Sequence, residues 1–214
     1  MEILDLTHLI EPGMPVFPGT EPPEIMEANT IKKDGFKEKK LSMYSHTGTH
    51  MDAPAHLFDG GKTLDQYDIG RFFGKAFLVD VVDQGGKIGK KVLESFEKQF
   101  YEADYALFHT GWSLYWGKDE YFSNFPCLDN EAAAYLASFQ LKGVGFDTIS
   151  ADPVEDSTLA NHRVFLGKEM VIVENLKNLD KLTGEGFFWF SCMPLKTIDA
   201  DGSPVRASAI LGIS

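Results

Sequence analysis

Residues 45–56 read Ser-His-Thr-Gly-Thr-His-Met-Asp-Ala-Pro-Ala-His, and they hold three of the six histidines in the 214-residue chain. Imidazole nitrogen and carboxylate oxygen together suit zinc, manganese or iron. Neither a strand nor a helix needs such a cluster for packing, whereas a single histidine would be read as an ordinary surface or core residue. The stretch therefore predicts a metal site.

The spacing inside this stretch also predicts its backbone. His46 and His50 lie four positions apart and would share one face of a helix. The intervening Thr-Gly-Thr segment argues against a helix, because β-branched residues flank a glycine. We expect a sharply turned loop after a strand over 36–44, with Gly48 bending the backbone so that both imidazoles converge. Pro54 is expected to stiffen the exit.

Composition limits the class of protein. The chain is 43% hydrophobic and 24% charged, with a formal net charge of −12, which predicts one globular domain over 1–214. An acidic surface repels phosphate backbones and anionic lipid, so we expect no nucleic-acid partner and no membrane partner. The start of the chain does not resemble a signal peptide. Cys127 and Cys192 are too few for a disulfide scaffold, so a cytoplasmic location is expected.

Hydrophobic patterning predicts strands that alternate with a few helices, which is a mixed α/β architecture. The expected helices cover 88–96 and 130–139, the second capped by Asp129. The aromatic run 187–190 is expected in a buried strand, and an oligomer interface is the alternative. The expected strands cover 24–30, 36–44, 76–82, 105–109, 143–146, 170–173, 186–192 and 205–211.

The segment from His46 to His56 closely resembles the H-x-G-T-H-x-D-x-P-x-H signature of the metal-dependent cyclase-like hydrolases. That family includes bacterial kynurenine formamidases and isatin hydrolases. Segments 5–19, 110–112 and 145–150 resemble further parts of the family. The resemblance implies a swivelling β/β/α single domain with a mixed sheet. It also implies a homo-oligomer, a dimer or a tetramer, and a centre of one or two divalent ions.

The same resemblance implies the metal ligands. The first set matches His46, His50 and Asp52, with Asp52 as a candidate bridge between two ions. The later histidine and glutamate of the family match His162 and Glu174. A glutamate that ends an apolar strand is unusual unless a cation pairs with it. Considered alone, His162 could start a helix and Glu174 could be a solvated strand end.

Two further residues are expected to handle substrate. His56 lies beyond Pro54 and need not reach the metal, and its ordinary pKa near 6.5 suits proton transfer. The resemblance assigns that acid/base role to the matching histidine. Phe17 stands where bacterial kynurenine formamidases typically have a tryptophan that contacts the aromatic substrate. Phenylalanine can still stack on a ring, although it has less area and no N–H donor.

These features predict a metal-dependent hydrolase that cleaves an amide-type C–N bond of a small substrate, such as an aryl formamide like N-formylkynurenine or a lactam. One or two divalent ions, zinc before manganese, would activate hydroxide and polarise the carbonyl. The alternative is a metal-dependent lyase or cyclase acting on a small carbonyl compound. A protein that is only stabilised by metal is disfavoured, because structural zinc sites are usually closed and often contain cysteine.

Other polar segments are expected to be structural. His8 and His109 are isolated, and we expect core or surface roles for both. The segment 85–91 lacks the spacing of a phosphate-binding loop and is expected to be a strand-to-helix turn. The acidic residues of 152–156 do not follow a calcium-loop pattern. A solvated loop is expected there, with a position near the site as the alternative.

Overall fold

Within the described residues, nine strands form one curled, mixed sheet, and two pairs of short strands lie outside it. The computed structural model describes residues 1–82 and 85–212. The predicted domain over 1–214 thus includes four positions, 83, 84, 213 and 214, that lie outside the described residues. The strands are β1 Glu2–Asp5, β2 Glu24–Asn29, β3 Glu38–Ser42, β4 His50–Asp52, β5 Phe73–Asp80, β6 Lys87–Ile88, β7 Tyr105–His109, β8 Cys127–Leu128, β9 Gly143–Phe146, β10 Val171–Glu174, β11 Phe188–Ser191, β12 Gly202–Pro204 and β13 Ser208–Leu211. The α-helices are α1 Ile31–Asp34, α2 Lys90–Glu94, α3 Glu97–Glu102, α4 Asn130–Leu136 and α5 Ala160–Leu166.

The centre of the large sheet is parallel and covered on both faces. Strands β5, β7, β9 and β10 run parallel to one another in that order. Val79 and Phe108 contribute to a buried cluster with residues of α2 to α5, while Leu78 and Leu107 contribute to a second buried cluster. Successive residues of a strand point to opposite faces, so these central strands are apolar at nearly every position.

Antiparallel strands extend the sheet at both sides, in the order β1-β13-β11-β5-β7-β9-β10-β4-β12. The β10–β4 register pairs Glu174 with His50, and the β4–β12 register pairs Asp52 with Gly202. Three distant segments of the chain therefore meet at this side of the sheet. The mixed sheet, with helices α2 to α5 contributing to one buried cluster, confirms the predicted single-domain α/β class.

Most predicted elements are present. The strands over 105–109 and 143–146 are correct at both ends. The helix predicted over 130–139 begins at Asn130, and Asp129 caps it, because Asp129 Oδ1 accepts a 2.8 Å hydrogen bond from the Ala132 backbone N–H. The aromatic run lies in β11, where Phe188 and Phe190 are buried, which confirms the buried-strand prediction.

Several predicted boundaries are wrong; for example, the helix predicted over 130–139 ends at Leu136, and the strand predicted over 36–44 covers only Glu38–Ser42. Ile88 is not in a helix; it lies in β6 and pairs with Leu128, and Gly89 is extended before α2 begins at Lys90. The segment 45–56 is not entirely a loop, because β4 and a 3-10 helix over Pro54–His56 lie within it. The strand predicted over 205–211 begins at Ser208, and β12 was not predicted, because Gly-Ser-Pro is typical of a turn.

Among the described residues, no helix is both long enough and apolar enough to cross a lipid bilayer.

Gly145 lies in β9 with no room for a side chain, so a substitution there tests how tightly the core is packed. A Cβ built on Gly145 would lie 2.7 Å from side-chain carbons of both Leu107 and Leu176. Gly145→Ala should therefore lower the free energy of unfolding by about 1–3 kcal/mol, which is typical of overpacking. Gly186→Ala is the matched control, since its Cβ would meet no atom within 4 Å. Urea denaturation measures both variants, and equal stability of the two would contradict this packing.

Candidate metal centre

The turn at Gly48 brings two histidines of the 45–56 segment together. Gly48 has a φ of +67°, a left-handed conformation that glycine adopts at little steric cost. The ring centroids of His46 and His50 lie 5.2 Å apart. His50 Nδ1 is 2.8 Å from the Gly48 carbonyl oxygen. Because a carbonyl oxygen only accepts hydrogen bonds, Nδ1 carries the hydrogen and Nε2 presents its lone pair to the site.

The Asp52 carboxylate stands between the two halves of the site. Its Oδ1 is 2.6 Å from His46 Nδ1 and 3.3 Å from His50 Nε2. Its Oδ2 is 3.4 Å from Nε2 of His162. The residue is only 1% exposed. Within the part of the chain that the structure describes, Oδ2 nevertheless has no hydrogen-bond partner.

Strand β10 and helix α5 supply the other half. Glu174 is buried opposite His50, so the alternative of a solvated strand end is wrong. Glu174 Oε1 accepts a 2.7 Å hydrogen bond from the Ala151 backbone N–H and lies 3.1 Å from His162 Nε2. Glu174 Oε2 lies 3.4 Å from His50 Nε2. His162 is the third residue of α5 and is buried.

Asp152 orients His162, a role that the sequence did not predict. Asp152 Oδ2 is 2.6 Å from His162 Nδ1 and accepts from the His162 backbone N–H at 3.0 Å. Its Oδ1 accepts from the Asn161 backbone N–H at 2.8 Å. Asp152 is buried, so the expectation of a solvated loop is wrong at this position. A carboxylate behind an imidazole fixes which ring nitrogen faces the site.

His56 and Asp201 lie on the open side of the cluster. The ring centroid of His56 is 4.1 Å from that of His46 and 6.2 Å from that of His162. Asp201 Oδ2 is 3.0 Å from His46 Nε2 and 3.9 Å from His56 Nδ1. The side chain of His56 is 30% exposed and that of Asp201 is 45% exposed. The sequence carried no signal for Asp201, which reaches the site only through the pairing of β12 with β4.

The charges of the cluster shift its pKa values. Burial disfavours the charged form of His46, but the charges and hydrogen bonds of Asp52 and Asp201 outweigh burial and raise the pKa of His46 to about 9. Burial also opposes ionisation of Asp52, and the surrounding histidines hold its pKa well below the usual range. Burial lowers the pKa of His56, although the Asp52 charge opposes this effect. The cluster therefore attracts positive charge to Asp52 and favours a neutral His56.

The residues of the cluster fit a divalent metal. Among the described residues, three groups of side chains have converging ligand atoms: His46, His50 and Asp52; Asp52, His162 and Glu174; and the more exposed His46, His56 and Asp201. All these ligand atoms are nitrogen or oxygen, which suits zinc or manganese. The unpartnered Oδ2 of Asp52, facing His162 Nε2, is the oxygen that an ion between them would satisfy.

The N-terminal loop packs over the Gly48 turn. A Cβ built on Gly48 would lie 3.1 Å from Met14 Cε and 3.4 Å from Ile10 Cγ1. Phe17, three residues beyond Met14, is 37% exposed. The structure thus places the loop that carries Phe17 beside the turn that joins the two histidines.

The two isolated histidines are buried outside this cluster. His8 stacks on Trp116 with ring centroids 3.8 Å apart, and burial lowers the pKa of His8 to about 4. His109 Nδ1 lies 3.3 Å from Asp80 Oδ1. Both are buried, which is the core alternative of the predicted core or surface roles.

Comparison with known proteins identifies the family. The Cyclase family model matches residues 4–153. The chain is 33% identical over 208 residues to the kynurenine formamidase of Bacillus cereus, with 96% of each chain covered. Isatin hydrolase A from Ralstonia solanacearum has a TM-score of 0.84 and 26% identity, covering 97% of this chain and 91% of its own. A structure described as a potential metal-dependent hydrolase with cyclase activity has a TM-score of 0.81 and 28% identity. That match covers 97% of this chain and 96% of the other. The predicted fold and family are confirmed, and the chain belongs to the cyclase family of metal-dependent hydrolases.

Proposed function

We propose that the chain hydrolyses an amide-type C–N bond in a small substrate, an aryl formamide such as N-formylkynurenine or a lactam. The observation that carries this proposal is a buried carboxylate, Asp52, shared by two groups of nitrogen and oxygen ligands. Support also comes from the relatives, whose names are kynurenine formamidase and isatin hydrolase.

We assign the ligands as two sets that share Asp52. His46 Nδ1, His50 Nε2 and Asp52 Oδ1 would hold one divalent ion. A second ion would lie among Asp52 Oδ2, His162 Nε2 and the Glu174 carboxylate, as expected for a bridging aspartate. Zinc is the first choice and manganese the second, because both accept this mixture of imidazole and carboxylate.

A bound divalent ion supplies a water of lowered pKa, about 7, and a polarised substrate carbonyl. The protein supplies proton transfer and orientation. His56 is partly exposed beside His46, and its lowered pKa leaves the imidazole neutral and able to accept a proton. We propose that His56 would accept a proton from the activated water and give it to the leaving nitrogen, which is general acid–base catalysis. Asp152 and the Ala151 N–H hold His162 and Glu174 in place.

The cluster is open to solvent on one side. His46, His56 and Asp201 are partly exposed, whereas His50, Asp52, His162 and Glu174 are buried. A site that only stabilises a fold is usually closed by four protein ligands, whereas a catalytic site keeps a position for water and substrate. The open side, with a non-ligand histidine on it, supports catalysis over a purely structural metal.

The cellular context stays a prediction. We propose a cytoplasmic enzyme that forms a homo-oligomer, a dimer or a tetramer. We also propose that it has neither a nucleic-acid partner nor a membrane partner.

Metal dependence and reaction class can be tested together. Removal of metal by a chelator should abolish hydrolysis, and zinc or manganese should restore it, with two equivalents bound per chain. The assay is a panel that follows formate release from aryl formamides and ring opening of isatin, with elemental analysis of each sample. Full activity of metal-free protein would exclude metal-dependent hydrolysis. Ring closure or elimination without hydrolysis would favour a lyase.

The role of His56 predicts a specific pattern of loss. His56→Ala should keep its metal content and fold but lose about 10²–10⁴ in rate, the usual contribution of acid–base catalysis. His56→Asn keeps a polar side chain that cannot shuttle protons, so it should lose a similar factor. Steady-state kinetics and elemental analysis measure both variants. Loss of bound metal in either would identify His56 as a ligand instead.

We propose that Phe17 lines the substrate pocket without binding metal. Phe17→Ala should lower kcat/KM by the factor that corresponds to a loss of about 1–3 kcal/mol of transition-state stabilisation, the scale of a lost apolar pocket contact. The metal content should stay the same. Phe36→Ala is a matched control, because Phe36 is also exposed but lies in the segment between α1 and β3. If Phe17→Ala and Phe36→Ala behave alike on every hydrolysed compound, Phe17 is a loop-packing residue.

A further inference from the structure

We propose that Asp201 is a positioning residue that fixes the ring of His46 and thereby sets the affinity for the ion held by His46, His50 and Asp52. The proposal rests on the metal-binding part of the proposed function. It concerns a residue outside both ligand sets, and Asp201 would act on the ion only through His46.

The contacts of His46 show how this would work. One ring nitrogen, Nδ1, is 2.6 Å from Asp52 Oδ1, and the other, Nε2, is 3.0 Å from Asp201 Oδ2. A neutral imidazole has one N–H donor and one lone pair. An ionised carboxylate can only accept, so Asp201 holds the hydrogen on Nε2. Without an ion, Nδ1 donates its own hydrogen to Asp52 Oδ1. A divalent ion bound beside Asp52 would displace that hydrogen, and the lone pair of Nδ1 would then face the ion while Nε2 kept its hydrogen bond to Asp201.

The other two candidate histidine ligands follow the same rule with different acceptors. His50 Nδ1 donates to the Gly48 carbonyl, and His162 Nδ1 lies 2.6 Å from the buried Asp152 carboxylate. In all three cases an acceptor holds one nitrogen and leaves the other for the centre. Partners of this kind fix the tautomer and ring orientation of metal-binding histidines. Asp201 differs from the other acceptors because its side chain is partly exposed.

The backbone around Asp201 confines the same ring. The Ala53 N–H donates to the Asp201 carbonyl at 2.8 Å, which fixes Asp201 beside β4. A Cβ built on Gly202 would lie 2.5 Å from His46 Cε1 and 2.6 Å from His46 Nε2. The His46 ring therefore rests directly on the Gly202 backbone, with a carboxylate at each nitrogen. Rotation of the ring would break both carboxylate contacts.

An ordinary exposed ion pair would contribute little to stability, because water and salt screen the attraction between its charges. The Asp201 contact differs in its target, since the His46 ring is largely buried and faces Asp52. An exposed ion pair would leave the ligand field and the affinity at the metal unchanged, whereas a residue that positions His46 would alter both.

The test compares Asp201→Ala, Asp201→Asn and the control Asp199→Asn in the full chain. Asp199 is exposed and two positions away, so its substitution removes a nearby charge without touching His46. Zinc affinity is measured by competition with a chelator, the visible spectrum is recorded after loading with cobalt(II), and circular dichroism checks the fold. We expect Asp201→Ala to weaken binding of one zinc ion 10–100-fold and to change the cobalt spectrum. Asp201→Asn should lose less, because its amide oxygen still accepts from His46 Nε2–H, and Asp199→Asn should match wild type.

Three results would overturn the proposal. Asp201→Ala could retain the zinc affinity and the cobalt spectrum of the wild type, or Asp199→Asn could lose as much affinity as Asp201→Ala. Failure of the wild-type chain to bind divalent ions at all would overturn both this proposal and the proposed function. Wild-type protein that binds zinc through Asp201-dependent geometry but hydrolyses no amide-type substrate would overturn the proposed function alone.

Discussion

The burial of the Asp52 carboxylate is the constraint on which the rest of the centre depends. Transfer of an ionised carboxylate out of water costs several kcal/mol unless opposite charge and hydrogen bonds compensate it. Strand β4 places this group beneath the surface, between β10 and β12. Three imidazoles surround it, and their outer nitrogens are in turn held by Gly48, Asp152 and Asp201. The histidines thus form an inner shell around the Asp52 carboxylate, and their hydrogen-bond acceptors form an outer shell.

The local half of the site could be predicted from the sequence because its geometry is local. His46, His50 and Asp52 lie within seven positions, and a glycine at a positive φ decides how they converge. The central strands were predictable for a similar reason. A strand such as β7 or β9 is buried on both faces, so its apolar run is continuous and its ends are marked by polar or turn residues.

The remaining features depend on pairing between distant segments, which no local pattern reports. In the sequence, Asp152 resembles part of an acidic loop. In the fold, it accepts hydrogen bonds from the backbone N–H groups of Asn161 and His162 at the start of helix α5. Asp201 precedes a Gly-Ser-Pro run that resembles a turn, and only the β12–β4 register makes it a neighbour of His46. Ile88 has helical spacing to later apolar residues, but it pairs with Leu128 of β8 and lies outside α2. The sequence points to His162 only through family resemblance, whereas Glu174 is also indicated by its position at the end of an apolar strand.

The ligand sets join parts of the chain that are far apart, since about half of its length separates Asp52 from His162. An ion held by both would act as a cross-link that closes a long loop, and such closure restricts the unfolded chain. Metal retention and folding would then be linked equilibria, because the unfolded chain does not assemble the same ligands. The resistance of this protein to heat or proteolysis would accordingly vary with the free concentration of the ion around it.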